Sequence, residues 1–274
     1  MVSVGVIGTG NMGSAMVKGW ARASSEGLGV IVWDRVEAAA RQFDGFPCVR
    51  VASGLEDLVH SSSFIFVVVK PKDAPQVFER LRLLVNGEQT VVSAMAGVTL
   101  AWLREALGPG PTLARIMPNL AVEFGAGTIG LVRENNADEQ KISACRQILG
   151  CLGLVEIVPE DCLDAVTAIA GSGPALFALA LEAAEDGAVA AGLSRVAARA
   201  LVLRAASRLG ETPEDLWEGL REISSWPEPL LASDKADWLL GQRGVREAFR
   251  QAVLAAVERA RSMLLHLPRP GAVH

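Results

Sequence analysis

Short apolar runs alternate with amphipathic stretches from the N-terminus to Val158. The run 63–69 is apolar at nearly every position, as a central strand covered by helices on both faces must be. This alternation predicts an α/β fold with a doubly wound parallel sheet. The predicted strands are Val2–Ile7, 30–33, 48–51, 63–69, 90–94, 113–117 and 154–158, and a helix is predicted over 138–151.

After Val158 the strand signals stop and helical patterns follow, so we predict a sheet domain over 1–161 and an all-helical domain over 162–274. The predicted helices are 163–170, 175–191, 195–209, 213–223 and 245–265. Gly171-Ser172-Gly173-Pro174 predicts a break between the first two, with Ser172 or Gly173 as the cap of a helix that Pro174 opens. The loop 224–234 contains two prolines, which forbid a continuous helix there.

The helix predicted over 175–191 is rich in Ala and Leu around most of its circumference. Such a helix is buried inside a bundle or between chains. Because one small bundle could not cover it, we predict a homodimer formed through the helical domain, or a higher homo-oligomer.

The first strand runs directly into the glycine turn Gly8-Thr9-Gly10-Asn11-Met12-Gly13, and a helical pattern follows. In this fingerprint the first glycine permits the turn, the second lets a pyrophosphate approach the backbone, and the third lets the helix pack on the sheet. Asp34 ends the second apolar run, about 20 residues further on, as the fingerprint requires. The pattern predicts a Rossmann domain that binds a dinucleotide; the alternative is a glycine turn in a flavodoxin-like domain that binds nothing.

Two neighbouring residues bear on the choice between NADH and NADPH. Asp34 can accept hydrogen bonds from both adenosine ribose hydroxyls and would repel a 2′-phosphate, which favours NADH. Arg35 has the opposite effect, because it could stack on adenine or pair with a 2′-phosphate. We expect NADH to be preferred.

Ligands of doubly wound sheets bind outside the carboxyl ends of the strands. Three stretches fall there, and each could instead be an ordinary turn. They are Val69-Lys70-Pro71, Ser93-Ala94-Met95-Ala96-Gly97 and Met117-Pro118-Asn119.

Composition argues against several classes of function. The net charge is −5 with acidic and basic residues interspersed, so we expect neither a nucleic-acid nor a membrane partner. Four cysteines match no zinc or redox spacing, which predicts buried, reduced thiols and no metal. With no charged leader and no uninterrupted apolar span, the chain is expected to be cytoplasmic.

The side chains used for alcohol oxidation are scarce. The sequence has no tyrosine, its three histidines are His60, His266 and His274, and beyond residue 100 its lysines are Lys141 and Lys235. In the β-hydroxyacid dehydrogenases, which share this two-domain layout, a catalytic lysine follows the glycine break, and Phe177 stands at that position here. Reduction of a cyclic imine demands less, because the substrate can arrive protonated and needs chiefly placement and hydrogen bonds.

Several motifs together resemble the pyrroline-5-carboxylate reductase family: GVIGTGNMG, VVVKP, SAMAGVTL, RIMPN and AVTAIAGSGPALF. The resemblance runs from Val4 to about residue 209 and resumes over 244–263. It implies reduction of 1-pyrroline-5-carboxylate to L-proline with a nicotinamide cofactor, an N-terminal Rossmann domain, and a helical domain that interleaves with a partner chain.

The resemblance also assigns the site. Ser93, Ala94, Ala96 and Gly97 are expected to border the nicotinamide and its ribose, with Asn119 fixing that region. Substrate is expected to lie above Gly171, Ser172, Gly173 and Pro174.

The sequence departs from the family in the loop that resembles S-P-G-G-T-T, which is Ser225-Trp226-Pro227-Glu228-Pro229 and onward here, without the glycine pair. Ser225 and Ser233 are the expected substrate contacts of this loop, and Ser233 the expected hydroxyl beside the imine nitrogen, with Ser172 as a second catalytic candidate. An ordinary helix cap is the alternative for Ser233. Leu120-Ala121 also replaces the family's usual Thr-Pro. The alternative functions are a reductase of another cyclic imine and a dinucleotide-binding protein without catalysis.

Overall fold

The computed structural model describes residues 2–23, 27–208, 251–255 and 257–258. The chain between residues 2 and 208 forms two compact units that divide between Gly171 and Ser172. The predicted domain boundary after residue 161 marks where strand signals end, and it stays a prediction. The predicted helix 213–223, the loop 224–234 and most of the predicted helix 245–265 lie outside the described residues, although 251–255 are helical.

The first unit is built on an eight-stranded sheet with the order β3-β2-β1-β4-β5-β6-β7-β8. All seven predicted strands are present, with ends shifted by a residue or two, and the α/β Rossmann prediction is confirmed. The strands are β1 (Val2–Ile7), β2 (Leu28–Trp33), β3 (Val49–Val51), β4 (Phe64–Val67), β5 (Thr90–Ser93), β6 (Thr112–Met117), β7 (Gly127–Arg133) and β8 (Gly153–Ile157).

Sequence reasoning missed one strand, β7, and with it the antiparallel pairing in the described sheet. Only the short 3₁₀ turn Leu120–Phe124 separates β6 from β7, which leaves no room for a crossover helix, so β7 runs antiparallel to β6. β8 then pairs in parallel with β7. Gly127 and Gly130 weaken the strand pattern of β7. A Cβ at either position would collide with the side chain of Val122 or Val166.

Helices cover both faces of the sheet. Buried residues of α1, α2 and α6 pack on one face, and those of α3, α4, α5 and α7 on the other. The helices of this unit are α1 (Asn11–Ala23), α2 (Glu37–Arg41), α3 (Leu55–His60), α4 (Ala74–Leu81), α5 (Leu100–Leu107), α6 (Glu139–Gly150) and α7 (Leu163–Thr167). The predicted helix 138–151 is therefore confirmed, with Asp138 as its side-chain cap.

The strand register aligns one row of residues across the carboxyl edge of the parallel strands. Trp33 pairs with Ile7, Ile7 with Val67, Val67 with Ser93, and Ser93 with Arg115. The chain reverses direction in the sheet order at β1, so the loops after β1 and β4 flank a topological switch point, where such folds bind ligands.

The predicted helix break at 171–174 was wrong. The chain passes from α7 through a π-helical turn, Ala168–Ser172, into α8 (Gly173–Ala190) without leaving a helical path. Neither Ser172 nor Gly173 therefore caps a new helix. A single π turn inside a helix commonly marks a functional site.

The second unit contains α8 and α9 (Arg195–Arg208), as the sequence predicted for these stretches. Glu185 of α8 is buried, and its carboxylate accepts hydrogen bonds from Arg199 and Arg195. The hydrogen bond from Arg199, and to a lesser extent that from Arg195, holds the pKa of the Glu185 carboxyl below its usual value. Apolar side chains remain exposed on both helices, among them Phe177, Leu179, Val196 and Leu201.

The helical stretch Glu160–Ala190 is long and apolar enough, by length and composition alone, to cross a membrane. A helix covered by a partner chain meets the same criterion. The expectation of no membrane partner therefore stays a prediction.

The cysteine prediction was partly wrong. All four thiols are free, but only Cys145 is buried, and Cys48 and Cys162 are exposed. Burial raises the pKa of the Cys145 thiol to about 12. Cys48 is exposed because it lies in the turn before β3, where its φ is positive.

Candidate active site

The glycine turn after β1 is shaped by contacts that exclude side chains. Gly8 has a φ of 98°, and a Cβ there would come within 2.8 Å of the Val68 carbonyl oxygen. A Cβ on Gly13 would collide with the carbonyl of Gly8, while one on Gly10 would meet, beyond its two chain neighbours, no atom of the described residues within 4 Å. The backbone at Gly10 therefore faces open space at the N-terminus of α1, which fits a pyrophosphate group.

Asp34 is tied to this turn. Its Oδ2 accepts hydrogen bonds from the Thr9 backbone N–H at 2.7 Å and the Thr9 hydroxyl at 3.1 Å. Its Oδ1 accepts from the backbone N–H of Val36 at 2.9 Å. A carboxylate has about four acceptor positions, so one remains on Oδ1 for a ribose hydroxyl. A second ribose hydroxyl would have to displace the hydroxyl of Thr9.

A cavity of about 420 Å³ opens beside the turn. It lies at the carboxyl ends of β1, β2 and β4, where the sequence predicted the dinucleotide. Six of the predicted cofactor residues line it: Gly8, Gly10, Asp34, Arg35, Val69 and Lys70. Val68, which precedes Val69 in the loop after β4, lines it as well. Asn11 and Met12 begin α1 next to it, and Pro71 opens the 3₁₀ turn that leads to α4.

Sequence reasoning missed one wall of this cavity. Lys72, Gln76 and Arg80 line it from the 3₁₀ turn and α4. Their spacing of four residues places them on one helical face, a signal that the sequence carried. The guanidinium of Arg80 lies 5.8 Å from the centroid of the Trp33 ring and also pairs with Glu56, while Arg35 pairs with Asp73 at 4.0 Å.

The second predicted stretch follows β5. Ser93 is fully buried, and its hydroxyl accepts a hydrogen bond from the backbone N–H of Met95 at 3.3 Å. Ala94 is held to β4 through a bond from its N–H to the Val67 carbonyl. Gly97 has a φ of 78°, which turns the chain toward α5. Ala94 and Ala96 are half-buried, so they are the accessible side chains of this loop.

Asn119 connects the sheet to the π turn. Its Nδ2 donates to the carbonyl of Ala170 at 3.0 Å, and its Oδ1 accepts from the N–H of Thr128. In an α-helix the N–H four residues after Ala170 would bind that carbonyl, but Pro174 has no N–H to donate. Asn119 supplies the missing donor, so both ends of its amide are used by the protein.

The predicted substrate residues are only partly located. Gly171 and Gly173 are in the π turn and the first turn of α8, and Pro174 follows in α8. Ser172 ends the π turn. Ser225 and Ser233 lie outside the described residues.

Known proteins resemble this chain over nearly its whole length. A pyrroline-5-carboxylate reductase of Methanosarcina acetivorans is 32% identical over 95% of this chain and 97% of its own. A pyrroline-5-carboxylate reductase of Mycobacterium tuberculosis is 32% identical over 96% of this chain and 95% of its own. This chain belongs to the pyrroline-5-carboxylate reductase family.

Domain and structure comparisons agree with membership in the pyrroline-5-carboxylate reductase family. Residues 160–263 match the family described as pyrroline-5-carboxylate reductase dimerisation. Residues 3–97 match the family described as NADP oxidoreductase, coenzyme F420-dependent, which spans the glycine turn and the loop after β5. The solved pyrroline-5-carboxylate reductase of Coxiella burnetii has a TM-score of 0.82 and 28% identity, and covers 95% of this chain and 97% of its own.

The residues present fit a nicotinamide dinucleotide. The open backbone at Gly10, the helix start behind it, and the cavity between Asp34 and Lys70 would hold the pyrophosphate and adenosine half. The loop from Ser93 to Gly97 lies further along the same edge of the sheet, where the other half would extend. The described Rossmann unit thus has groups that suit a nicotinamide cofactor, and the residues that hold it stay a prediction.

The contrast between Gly10 and Gly13 predicts different results for two matched substitutions. Gly10→Ala should leave the melting temperature unchanged and weaken NADH and NADPH binding about 10-fold or more, because its methyl group would occupy the space for the pyrophosphate. Gly13→Ala should lower the melting temperature as well, since its methyl group collides with Gly8. Thermal melts and fluorescence titration measure the two effects. Unchanged cofactor affinity in Gly10→Ala would contradict the placement of the pyrophosphate.

Proposed function

We propose that this protein reduces the C=N bond of 1-pyrroline-5-carboxylate to give L-proline. The observation that carries the proposal is the 32% identity to a pyrroline-5-carboxylate reductase over 95% of the chain. When bound, NADH or NADPH supplies the hydride. The chain's own residues bind and orient the reactants.

The chemistry of an imine suits the groups on the rim. Along the nicotinamide side of the described rim, Ser93, Arg115 and Asn119 are polar, and each has a hydrogen-bond partner within the protein. Groups like these fix geometry rather than exchange protons. A substrate that arrives as an iminium needs placement beside the hydride donor and hydrogen bonds to its nitrogen and carboxylate.

A second candidate function is reduction of another cyclic imine. The loop 224–234 favours it, since it lacks the glycine pair that the family resemblance implies for holding the substrate carboxylate. Glu228 adds a negative charge to a loop expected to bind an anion. A substrate without a carboxylate would avoid that repulsion.

Oxidation of NADH or NADPH, followed at saturating cofactor, separates these functions. We expect a higher kcat/KM for 1-pyrroline-5-carboxylate than for 1-pyrroline or a six-membered cyclic imine. A higher value for an imine without a carboxylate would favour the second candidate. Cofactor binding without turnover of any imine would favour a dinucleotide-binding protein without catalysis.

We also infer that the active form is a homodimer built from the helical domain, or a higher homo-oligomer. The dimerisation-family match over 160–263 and the exposed apolar side chains of α8 and α9 support this. A cytoplasmic location remains the expectation for a metabolic enzyme of this kind.

For the cofactor we propose a preference for NADH. Asp34 places a negative charge where a 2′-phosphate would lie, and the pairs of Arg35 with Asp73 and of Arg80 with Glu56 reduce the attraction of those cations for it. We expect kcat/KM to be higher for NADH than for NADPH. Asp34→Ser should reduce or reverse that ratio, because it removes the charge and keeps a hydroxyl near Thr9. A parental enzyme that prefers NADPH would contradict the role given to Asp34.

Ser233 is proposed as the hydroxyl beside the imine nitrogen. If so, Ser233→Ala should lower kcat by about 10-fold or more without changing the KM for the cofactor. As a helix cap only, Ser233 would cost roughly 1 kcal/mol of stability when replaced and leave kcat unchanged.

Ser194→Ala is the matched control for Ser233→Ala. The Ser194 hydroxyl accepts a hydrogen bond from the N–H of Ala197 at the start of α9, so it is a serine cap within the same domain. We expect Ser194→Ala to lower the melting temperature and to retain the parental kcat. Parental turnover in Ser233→Ala would show that Ser233 is likewise a cap.

A further inference from the structure

Arg115 is a buried cation in the row of residues at the carboxyl edge of the sheet. It is 5% exposed and lies in β6 directly beside Ser93. Leu113, two residues earlier on the same face, belongs to the buried cluster that includes the core residues of α5, and α5 packs on β6, so Arg115 is on the side of the sheet that α5 covers. A charge in such a place needs a partner, because water cannot solvate it.

That partner is Glu160, at the first turn of the segment that leads to α7. Its Oε1 lies 2.6 Å from Nη1 of Arg115. The same oxygen accepts a hydrogen bond from the backbone N–H of Leu100 at 2.7 Å. Arg115 Nε is buried without a partner among the described residues, and the Arg115 guanidinium donates to Glu160 through Nη1. One carboxylate oxygen thus joins β6, α5 and the start of the 160–170 segment.

The bond to Leu100 fixes one end of the loop that follows β5. At the other end, Ala94 and Met95 are bonded to Val67 and Ser93. The six residues between β5 and α5 are thereby held at both ends, and they contain the residues expected to border the nicotinamide.

The segment from Glu160 to Ala170 is also held at both ends. Glu160 bonds to Arg115 and Leu100, and the Ala170 carbonyl bonds to Asn119. Of these partners, Arg115 lies in β6 and Asn119 lies two residues after its end. The nicotinamide loop and the approach to the π turn are therefore positioned from the same strand.

We propose that Arg115 and Glu160 are positioning residues for the nicotinamide half of the site. They set the loop 94–99 relative to the segment that enters the π turn, while the adenosine half is set independently by Gly8 to Gly13 and Asp34. The proposal rests on the proposed cofactor-dependent function, but it concerns cofactor placement and not the identity of the imine.

A second ion pair supplies a matched control. Arg104 of α5 pairs with Glu134, directly after β7, and its guanidinium also bonds to the carbonyls of Gly108 and Pro111. These side chains are 31% and 16% exposed. β7 is antiparallel to β6, so its end lies beside the start of β6. The pair of Arg104 and Glu134 therefore joins α5 to the amino edge of the parallel strands. Its loss should affect stability and leave the nicotinamide loop in place.

The test compares binding of the whole cofactor with binding of its adenosine half. In the full-length protein, Glu160→Ala should weaken NADH or NADPH binding about 10-fold while the affinity for ADP-ribose is unchanged, and kcat should fall by about 10- to 100-fold. Glu160→Gln should retain most activity, because its amide oxygen can still accept from Leu100 and Arg115. Glu134→Ala should lower the melting temperature with both affinities and kcat unchanged.

Several outcomes would overturn the proposal. One is a Glu160→Ala protein with a lower melting temperature but parental kcat and a parental ratio of the two affinities. Another is an equal loss of affinity for ADP-ribose and for the whole cofactor. If Glu160→Ala does not fold, Glu160→Asp, which withdraws the carboxylate by one methylene group, must show the same selective loss. Binding is measured without imine, so failure of the wild-type protein to reduce 1-pyrroline-5-carboxylate would count against the proposed function and leave this test standing.

Discussion

The close approach of Gly13 to the carbonyl of Gly8 is the constraint on which the cofactor site depends. No side chain fits between them, so α1 can start immediately after β1 and direct its N-terminus at the switch point of the sheet. The N–H groups of a first helical turn have no partner within the helix, and α1 starts directly after Gly10, which lines the cavity between β1, β2 and β4. A longer turn would place the helix start, and its partial positive charge, away from the strands that form the cavity walls.

Polar bonds across loops complete what the glycine turn begins. Asp34 holds Thr9, Asn119 holds the carbonyl that Pro174 leaves without a donor, and Glu160 holds Leu100. Each bond joins the end of a strand to a neighbouring loop or helix, and each lies at the carboxyl edge. At Asp34, holding the turn competes with binding a ligand, because protein donors already occupy three acceptor positions of its carboxylate. An acidic residue at this position can thus hold the turn by hydrogen bonds and still accept one from a single ribose hydroxyl.

Local patterns predicted most of the Rossmann unit. Buried parallel strands are continuous apolar runs, and the glycine spacing fixes the first turn, so most strands and the glycine turn could be located from sequence. β7 could not be located in this way. Its glycines are required by contacts with Val122 of the preceding 3₁₀ turn and Val166 of α7, which a local strand pattern does not show. The π turn was also hidden, since Gly171-Ser172-Gly173-Pro174 is locally a helix-breaking sequence. A contact from outside the helix is made there by Asn119, 51 residues away, whose amide donates to the Ala170 carbonyl.

The wall formed by Lys72, Gln76 and Arg80 was missed for a different reason. Its spacing of four residues was visible, but polar residues on one face of a helix ordinarily face solvent, and only the fold shows that this face borders a cavity. The pair of Arg115 and Glu160 could not be predicted either, because the two residues are 45 positions apart. Burial of the arginine is the informative observation, since a charged residue inside a strand reads locally as a surface position.

An imine reductase places particular demands on such a framework. When the substrate arrives already protonated, the protein gains little from a general acid, and its contribution to the rate comes from holding donor and acceptor at the correct distance and angle. A sequence without tyrosine and with few histidines can therefore support this chemistry. The groups that matter are then those that hold backbone segments in register, such as the Glu160 carboxylate and the Asn119 amide. These residues touch other parts of the protein, which is why a search for acid–base side chains alone would pass over them.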